Sequence, residues 1–196
     1  MAQKVEERRA ALRDRLLLIA ERRIAEDGLG ALRARDLATD AGCALGAIYN
    51  VFGDLGDLIL AVNARTFRTM GADVAEALAA APADPTEQLV VMGRAYHAFA
   101  AANPGLWRAL FDYDRPAGEA APEWYLEEMG RLFAYIEAPI RVLIPEMTKA
   151  DRALFARVLF SSVHGIVLLG LDDASGGVPR DQLDRMIGLT LRRMVD

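Results

Sequence analysis

The sequence predicts an all-α protein, and three observations support that fold class. Alanine and leucine, which favour helices, recur along the chain of 196 residues, and proline is absent from residues 2–81 and 146–178. Apolar residues recur at helical spacing, and no segment alternates convincingly as a strand does. Apolar residues make up 53% and charged residues 26% of the chain, which excludes a disordered or fibrous protein.

Local stop and start signals divide the N-terminal half into four helices. Gly28 ends an amphipathic helix, and Gly42 separates two short helices at a turn that needs a positive φ. Asp54, with Asp57 three residues later, predicts the N-cap of a long helix. The predicted helices cover about 5–26, 34–41, 44–53 and 54–80.

The C-terminal half carries five further helix signals, which gives nine helices in total. Asp84 is the predicted N-cap of a helix whose first residue is Pro85, and Thr148 is placed to cap another helix. Pro139 predicts a kink or a break. The predicted helices cover about 85–102, 105–111, 122–145, 148–171 and 179–193.

The pattern changes at residues 81–85, which predicts a small N-terminal bundle over 1–53, a connecting helix over 54–80 and a larger C-terminal bundle over 81–196. The net charge is −5, so no global basic field indicates a nucleic-acid partner. Residues 1–35, however, carry nine basic side chains against six acidic ones. Any DNA-binding surface must therefore be small and local.

Several classes of site are excluded by residue usage. Cys43 is the single cysteine and there are only two histidines, so we predict no disulfide, no metal site and no cofactor. The N-terminus is too charged for a signal peptide, and the apolar stretch from Val158 to Leu171 is shorter than the roughly 20 residues of a membrane span. We expect a cytoplasmic protein without a membrane partner.

An enzyme is not predicted. The chain has no nucleophile elbow, no phosphate-binding glycine loop and no zinc motif. Ser161, Ser162 and His164 fall within one helical turn, but the sequence places no orienting carboxylate beside them.

Residues 33–52 carry the most specific motif, two short helices meeting at Gly42. Ala38, four residues earlier, is small enough for the second helix to cross close to the first. Apolar residues fall at spacings that bury one face of each helix: Leu37, Ala41, Cys43, Ile48 and Val51. This segment resembles a helix-turn-helix, with residues 5–26 as the third helix of the bundle.

The run from Gly42 to Phe52, followed by Asp54 and Leu58, is similar to the N-terminal signature of the TetR family of transcriptional regulators. Pro104-Gly-Leu-Trp107, Leu110-Phe111 and His164-Gly165 resemble the tryptophan and His-Gly marks of one C-terminal subgroup. The resemblance implies a homodimeric, ligand-responsive repressor that binds a pseudo-palindromic double-stranded DNA operator. It implies DNA contacts from Arg33, Arg35, Ala44, Leu45, Gly46, Ala47, Tyr49 and Asn50.

The sequence departs from that family pattern at phosphate-contacting positions. Ala44 stands where the family usually has serine or threonine, Leu55 where it has lysine, and Ala34 and Ala47 where threonine is common. Each missing contact weakens DNA affinity and its salt dependence. A ligand- or partner-binding dimer whose helix-turn-helix has lost DNA affinity is therefore the alternative.

Apolar and aromatic residues of the C-terminal bundle are candidates for binding a small hydrophobic effector. They are Met92, Tyr96, Phe99, Trp107, Phe111, Met129, Phe133, His164 and Leu168. The same residue types form ordinary cores, so composition leaves core and pocket roles open. His164 is either a buried, hydrogen-bonded histidine or a polar group lining the pocket, and His97 is expected near solvent.

The last two predicted helices, 148–171 and 179–193, are apolar on more than one face. They are expected to form a dimeric four-helix interface. The interface candidates are Leu168, Leu169, Ile187, Leu191 and Met194. Burial of these residues against 122–143 of the same chain is the alternative.

Overall fold

A computed structural model describes residues 2–115, 118, 120–172 and 178–196. Within these ranges the chain forms nine α-helices and two 3₁₀ turns, with no strand, so the all-α prediction is confirmed. The helices are α1 (Ala2–Asp27), α2 (Ala34–Ala41), α3 (Leu45–Phe52), α4 (Leu55–Ala79), α5 (Pro85–Ala102), α6 (Pro104–Asp112), α7 (Glu123–Leu143), α8 (Lys149–Leu171) and α9 (Leu183–Val195). The 3₁₀ turns are Leu29–Ala31 and Arg180–Gln182.

The N-caps read from the sequence are present. The backbone N–H of Asp57 donates to Asp54 Oδ1 at 2.7 Å, and that of Glu87 donates to Asp84 Oδ1 at 2.9 Å. Each bond satisfies one of the N–H groups that lack a partner within the helix. The starts of α4 and α5 are therefore determined locally.

Two helix predictions differ from the structure. α7 continues through Pro139, so the predicted break is wrong, while the predicted kink stays a prediction. α9 begins at Leu183 after a 3₁₀ turn instead of at residue 179. Pro139 and Ile140 are both buried, and the burial of this pair offsets the backbone hydrogen bond that proline cannot make.

The backbone divides into two compact units. The N-terminal unit comprises residues 1–66 and 103–125, and the C-terminal unit comprises 67–102 and 126–196. This division differs from the predicted boundaries at residues 53 and 80, since α6 groups with the N-terminal helices and α4 contributes to both units. The predicted functional division stays a prediction.

The core of the N-terminal unit forms where α1 packs against α2, α3, α4 and α6. Its fully buried side chains include Leu16, Ile24, Leu37, Ile48 and Leu58. At Gly105, α6 approaches α1 so closely that a Cβ would overlap the carbonyl oxygens of Ile24 and Ala25. This contact explains why a helix distant in sequence joins the N-terminal bundle.

The C-terminal unit is centred on α5, which packs against α8 and α9. Ile187 and Leu191 of α9 are 0% and 2% exposed, so they belong to the core of this chain. Their predicted place in a dimer interface is wrong, because α9 turns this face towards α5. Gly93 of α5 permits the approach, since a Cβ there would lie 2.7 Å from Ile187 Cγ2.

α8 exposes much of its apolar surface. Leu154, Val158, Leu168 and Leu169 are all at least 40% exposed. By length and composition alone the helix could cross a membrane, and 28% of its most apolar part is buried. The helix is therefore longer than the apolar stretch from Val158 to Leu171 on which the sequence-based expectation rested.

Candidate functional site

The turn between α2 and α3 has the geometry that the sequence predicted. Gly42 adopts the left-handed conformation, with φ 62° and ψ 42°. The N–H of Cys43 donates to the carbonyl of Ala38 at 3.0 Å, and the side chains of Ala38 and Ala41 are buried. Small side chains and a left-handed residue bring the two short helices together as a helix-turn-helix.

α3 has one buried and one exposed face. Ile48 and Phe52 enter the core, whereas Tyr49 is 45% exposed. The predicted DNA-contacting residues Leu45, Gly46 and Asn50 are exposed beside it, and Ala47 is partly buried. The structure thus brings these residues together on one accessible helix.

Ala44 is the N-cap residue of α3 and makes no side-chain cap. The first N–H groups of the helix are consequently left to water or to an external acceptor. A phosphate oxygen is such an acceptor, and it would also interact favourably with the helix dipole.

The two predicted arginines of this region differ in their contacts. Arg33 donates from Nη1 to the carbonyl of Gly30 at 2.6 Å and to that of Leu32 at 3.1 Å, so its guanidinium is directed towards its own loop. Arg35 is exposed and has no ion pair within the described residues. Of the two, Arg35 is the more available to a phosphate.

Two arginines of α1 lie beside the same motif and were missed as candidates. The guanidinium of Arg13 stacks on the ring of Phe52 at 5.1 Å, and Arg15 donates to the carbonyl of Ala41 at 3.1 Å. The signal was the basic excess of residues 1–35, which does not by itself identify individual positions. These contacts place positive charge near both ends of α3.

The C-terminal unit contains an apolar cavity of about 80 Å³, several times the ~15 Å³ that one water needs. None of the described residues lining it is charged. They are Met70 and Val74 of α4; Leu89, Met92, Gly93 and Tyr96 of α5; Leu132, Tyr135 and Ile136 of α7; Leu159, Phe160 and Val163 of α8; and Leu191 of α9. Of the predicted effector-binding residues, Met92 and Tyr96 line this space.

A hydrogen-bonded pair lies at the edge of the cavity. The hydroxyl of Tyr96 is 2.7 Å from Nδ1 of His164, and the imidazole stacks on Phe160 at 5.6 Å between ring centres. Burial lowers the pKa of His164, which favours the neutral ring. A neutral ring with an unprotonated Nδ1 accepts a hydrogen bond from the tyrosine hydroxyl. His164 is not itself a lining residue, and its bond to the hydroxyl of Tyr96 holds that side chain in place.

Trp107 and Phe111 lie elsewhere. Both belong to the N-terminal unit, where Trp107 is 1% exposed and Phe111 is 43% exposed, with ring centres 5.8 Å apart. They do not line the cavity of the C-terminal unit, because α6 packs against α1.

Four other predicted effector residues are also outside the lining. Phe99 is buried in the core, and Leu168 is exposed on α8. Met129 and Phe133 are partly buried on α7, where the ring of Phe133 packs edge-on against that of Phe160 at 5.5 Å.

The lining residues of α4 and α7 were not predicted from the sequence. Met70 and Val74 are four residues apart, as are Leu132 and Ile136, so each pair lies on one face of its helix. This spacing predicts an apolar face on each helix, but it does not show that the faces of α4 and α7 meet. Within the described ranges, no three histidine, cysteine or acidic side chains are grouped to hold a metal ion.

Comparisons with known proteins agree with this fold. Residues 89–194 match the family model described as "Tetracyclin repressor-like, C-terminal domain". A search of curated proteins gave no match.

Solved structures share the fold over nearly the whole chain. A protein of unknown function from Rhodococcus sp. RHA1 is 24% identical, with a TM-score of 0.74 over 93% of this chain and 94% of that chain. PfmR, a TetR family transcriptional regulator from Thermus thermophilus, is 20% identical, with a TM-score of 0.61 over 91% and 97%. RolR in complex with resorcinol is 19% identical, with a TM-score of 0.69 over 96% and 89%.

Proposed function

Because the chain belongs to the tetracycline-repressor-like (TetR) family of transcriptional regulators, we propose that it is a homodimeric, effector-responsive repressor acting in the cytoplasm. The observation that carries this proposal is the exposed face of α3, presented by a helix-turn-helix whose turn is closed at Gly42. The uncharged cavity of the C-terminal unit supports an effector role for the same chain.

α3 would enter the major groove with its exposed residues. Tyr49 and Arg35 are proposed to contact phosphates, Asn50 to pair with an adenine edge, and Ala47 to pack on a thymine methyl. Arg33, Ala44, Leu45 and Gly46 complete the proposed contact surface. The open N-terminus of α3 would add backbone donors to phosphate.

The exposed apolar face of α8 supports a dimer, in which the 148–171 and 179–193 segments of two copies pack together. Leu168 and Leu169 of α8 and Leu189 of α9 are at least 40% exposed and would be covered by the second copy. A two-fold axis would place the two α3 helices in successive major grooves, about 34–36 Å apart.

The effector is proposed to be small, apolar and uncharged. A charge buried in this lining without a partner would cost several kcal/mol. Resorcinol, the ligand held by RolR, belongs to this class: its ring suits apolar walls, and its hydroxyl groups are uncharged. Effector binding would favour a DNA-incompetent arrangement, with α4 as the element continuous between the two units.

DNA binding is tested by fluorescence anisotropy of a labelled fragment of the upstream DNA of this gene, with random-sequence DNA as competitor. We expect specific binding that weakens with salt and falls about tenfold or more in Tyr49→Ala, because a phosphate contact is lost. Trp124→Ala is the matched control, since Trp124 is equally exposed at 44% and lies outside the helix-turn-helix. Equal affinity of Tyr49→Ala and the unaltered protein would contradict the assignment of Tyr49.

Effector chemistry is tested with fluorobenzene and 4-fluorobenzoate, which differ by one carboxylate. ¹⁹F NMR titration is expected to show saturable binding of the neutral compound and none of the anion at neutral pH, because the lining offers the anion no counter-charge. Preferential binding of 4-fluorobenzoate would contradict the proposed effector class.

The alternative is a ligand-binding dimer that no longer binds DNA. Two observations favour it: Ala44 provides no side-chain cap or phosphate contact, and the guanidinium of Arg33 is engaged by its own loop. Tight, specific operator binding at physiological salt would dismiss this alternative.

We propose no catalytic role for the serines near His164. Ser162 donates to the carbonyl of Val158 at 2.9 Å, and Nδ1 of His164 is bonded to the hydroxyl of Tyr96. This arrangement does not pair a serine nucleophile with the histidine.

A further inference from the structure

Leu132 and Tyr135 of α7 border two separate spaces. On one side they line the apolar cavity of the C-terminal unit. On the other they line a surface groove between α4 and α7, which we call the α4–α7 groove. Its other lining residues are Phe67, Arg68, Gly71, Ala72, Ala75, Glu128 and Arg131. These two side chains therefore form a partition between the cavity and the α4–α7 groove.

Of α5, α7, α8 and α9, which all line the cavity, α7 has the fewest buried residues. Along its 21 residues, α7 has only two buried residues, Pro139 and Ile140. The lining residues Leu89, Leu159 and Leu191 of the other helices are 1–2% exposed. A helix that lines the cavity is displaced at the lowest cost in free energy where the fewest apolar contacts are lost. We therefore expect the cavity to open at α7.

The α4 side of the groove, which faces Leu132 and Tyr135, contains small residues. A Cβ added at Gly71 would lie 3.3 Å from Leu132 Cδ2, so Leu132 rests against nearly bare helix backbone. Ala72 and Ala75 continue this low surface. If Leu132 or Tyr135 rotates outward into the groove, these three residues present no bulky side chain that would block the movement.

An ion-paired cluster joins α4 and α7 along the same groove. Arg68 Nε lies 3.0 Å from Glu128 Oε1, and Arg131 Nη1 lies 3.2 Å from Glu128 Oε2. The Glu128 side chain is 13% exposed, whereas those of the two arginines are more than half exposed. Separation of the two helices here requires the Arg68–Glu128 pair to break.

We propose that Leu132 and Tyr135 form the entry gate of the cavity, and that the Arg68–Glu128 ion pair restrains this gate. An uncharged apolar molecule enters from the α4–α7 groove when these side chains move outward. The inference rests on the proposed effector role of the cavity, but it concerns the route and the rate of entry.

The test measures exchange of fluorobenzene with the full-length protein by ¹⁹F NMR exchange spectroscopy. Leu132→Ala and Tyr135→Ala are expected to raise the association rate constant about tenfold, because each removes part of the partition. Tyr135→Phe keeps the ring and is expected to leave the rate constant unchanged. Leu89→Ala enlarges the cavity at a wall away from the groove and is expected to change the dissociation rate constant alone.

Glu128→Gln provides a second test, because the amide keeps the size and shape of the carboxylate and removes only its charge. It is expected to accelerate association, and added salt is expected to accelerate association with the unaltered protein but not with Glu128→Gln. Because fluorobenzene is uncharged, a salt effect of this kind reports on the protein's own ion pair. Glu127→Gln is the matched control, since Glu127 is exposed on the adjacent position of α7.

Unchanged association in both alanine variants and in Glu128→Gln would overturn the gate. An equal acceleration in Leu89→Ala would also overturn it, since general loosening would then explain the rates. Absence of fluorobenzene binding would overturn it as well. DNA anisotropy on the same preparations separates these failures from failure of the proposed function, because loss of the gate leaves operator binding intact.

Discussion

His164 illustrates how one partly buried polar residue is accommodated among apolar neighbours. Its Nδ1 bonds to the hydroxyl of Tyr96, and its ring stacks on Phe160. Desolvation lowers its pKa because the charged imidazolium is disfavoured there. The native state therefore holds this histidine neutral at a pH where the unfolded chain begins to bind a proton.

A pH dependence of stability follows from this residue. Below the unfolded pKa of about 6.5, the unfolded state binds more protons than the native state, so the free energy of unfolding falls as pH falls. Urea unfolding at fixed protein concentration between pH 7.5 and about 5.5 should show this decrease. His164→Gln is expected to reduce the slope.

His97→Gln is the control for that experiment. His97 directly follows Tyr96 in the sequence, but its Nδ1 pairs with Asp184 of α9 at 2.8 Å and its ring takes no part in the Tyr96–His164 bond. A slope that persists in His164→Gln would assign the pH dependence to other groups.

At the scale of elements, the contact between α6 and α1 explains the composition of the N-terminal unit. Gly105 lets α6 pack directly on the carbonyl groups near the end of α1. Asn63 of α4 adds a buried hydrogen bond, donating from Nδ2 to the carbonyl of Ala109 at 3.1 Å. Three helices distant in sequence are thereby joined by contacts to backbone carbonyl groups.

Gly105→Ala is expected to destabilise the protein by roughly 1–3 kcal/mol, because the added methyl group overlaps backbone atoms that cannot rotate away. The measurement is denaturant unfolding. Gly130→Ala is the matched control: no atom lies within 4 Å of a Cβ at this helical position, so about 1 kcal/mol of stabilisation is expected from helix propensity. A neutral Gly105→Ala would show that the α6–α1 contact relaxes easily.

At the scale of the whole molecule, the apolar surface of α8 is the feature left unexplained by a single copy. Leu154, Val158, Leu168 and Leu169 remain at least 40% exposed, although α8 has the composition of a buried helix. A second copy of the chain would cover this surface in the proposed four-helix interface.

Leu169→Arg is expected to shift the protein towards the monomer, since the charge would be buried without a partner at a cost of about 2–5 kcal/mol. Sedimentation velocity over a concentration series measures this shift. Val142→Arg is the control, because Val142 is 66% exposed on α7, outside the proposed interface. A Leu169→Arg protein that sediments as the unaltered one does would place the interface elsewhere.

The sequence by itself determined the features governed by neighbours within about one helical turn. Asp54 and Asp84 cap helices, and Gly42 adopts a positive φ, because each depends on atoms at most four residues away. The all-α class and the exposed face of α3 follow from the same local periodicity.

Only the tertiary structure decided which faces meet. Trp107 and Tyr96 have similar local patterns, yet Trp107 packs in the N-terminal unit and Tyr96 lines the cavity. Leu132 and Tyr135 gained their position as a partition from the approach of α7 to α4. Helix periodicity identifies an apolar face but does not specify its partner, because burial free energy depends on the apolar area covered and is not directional.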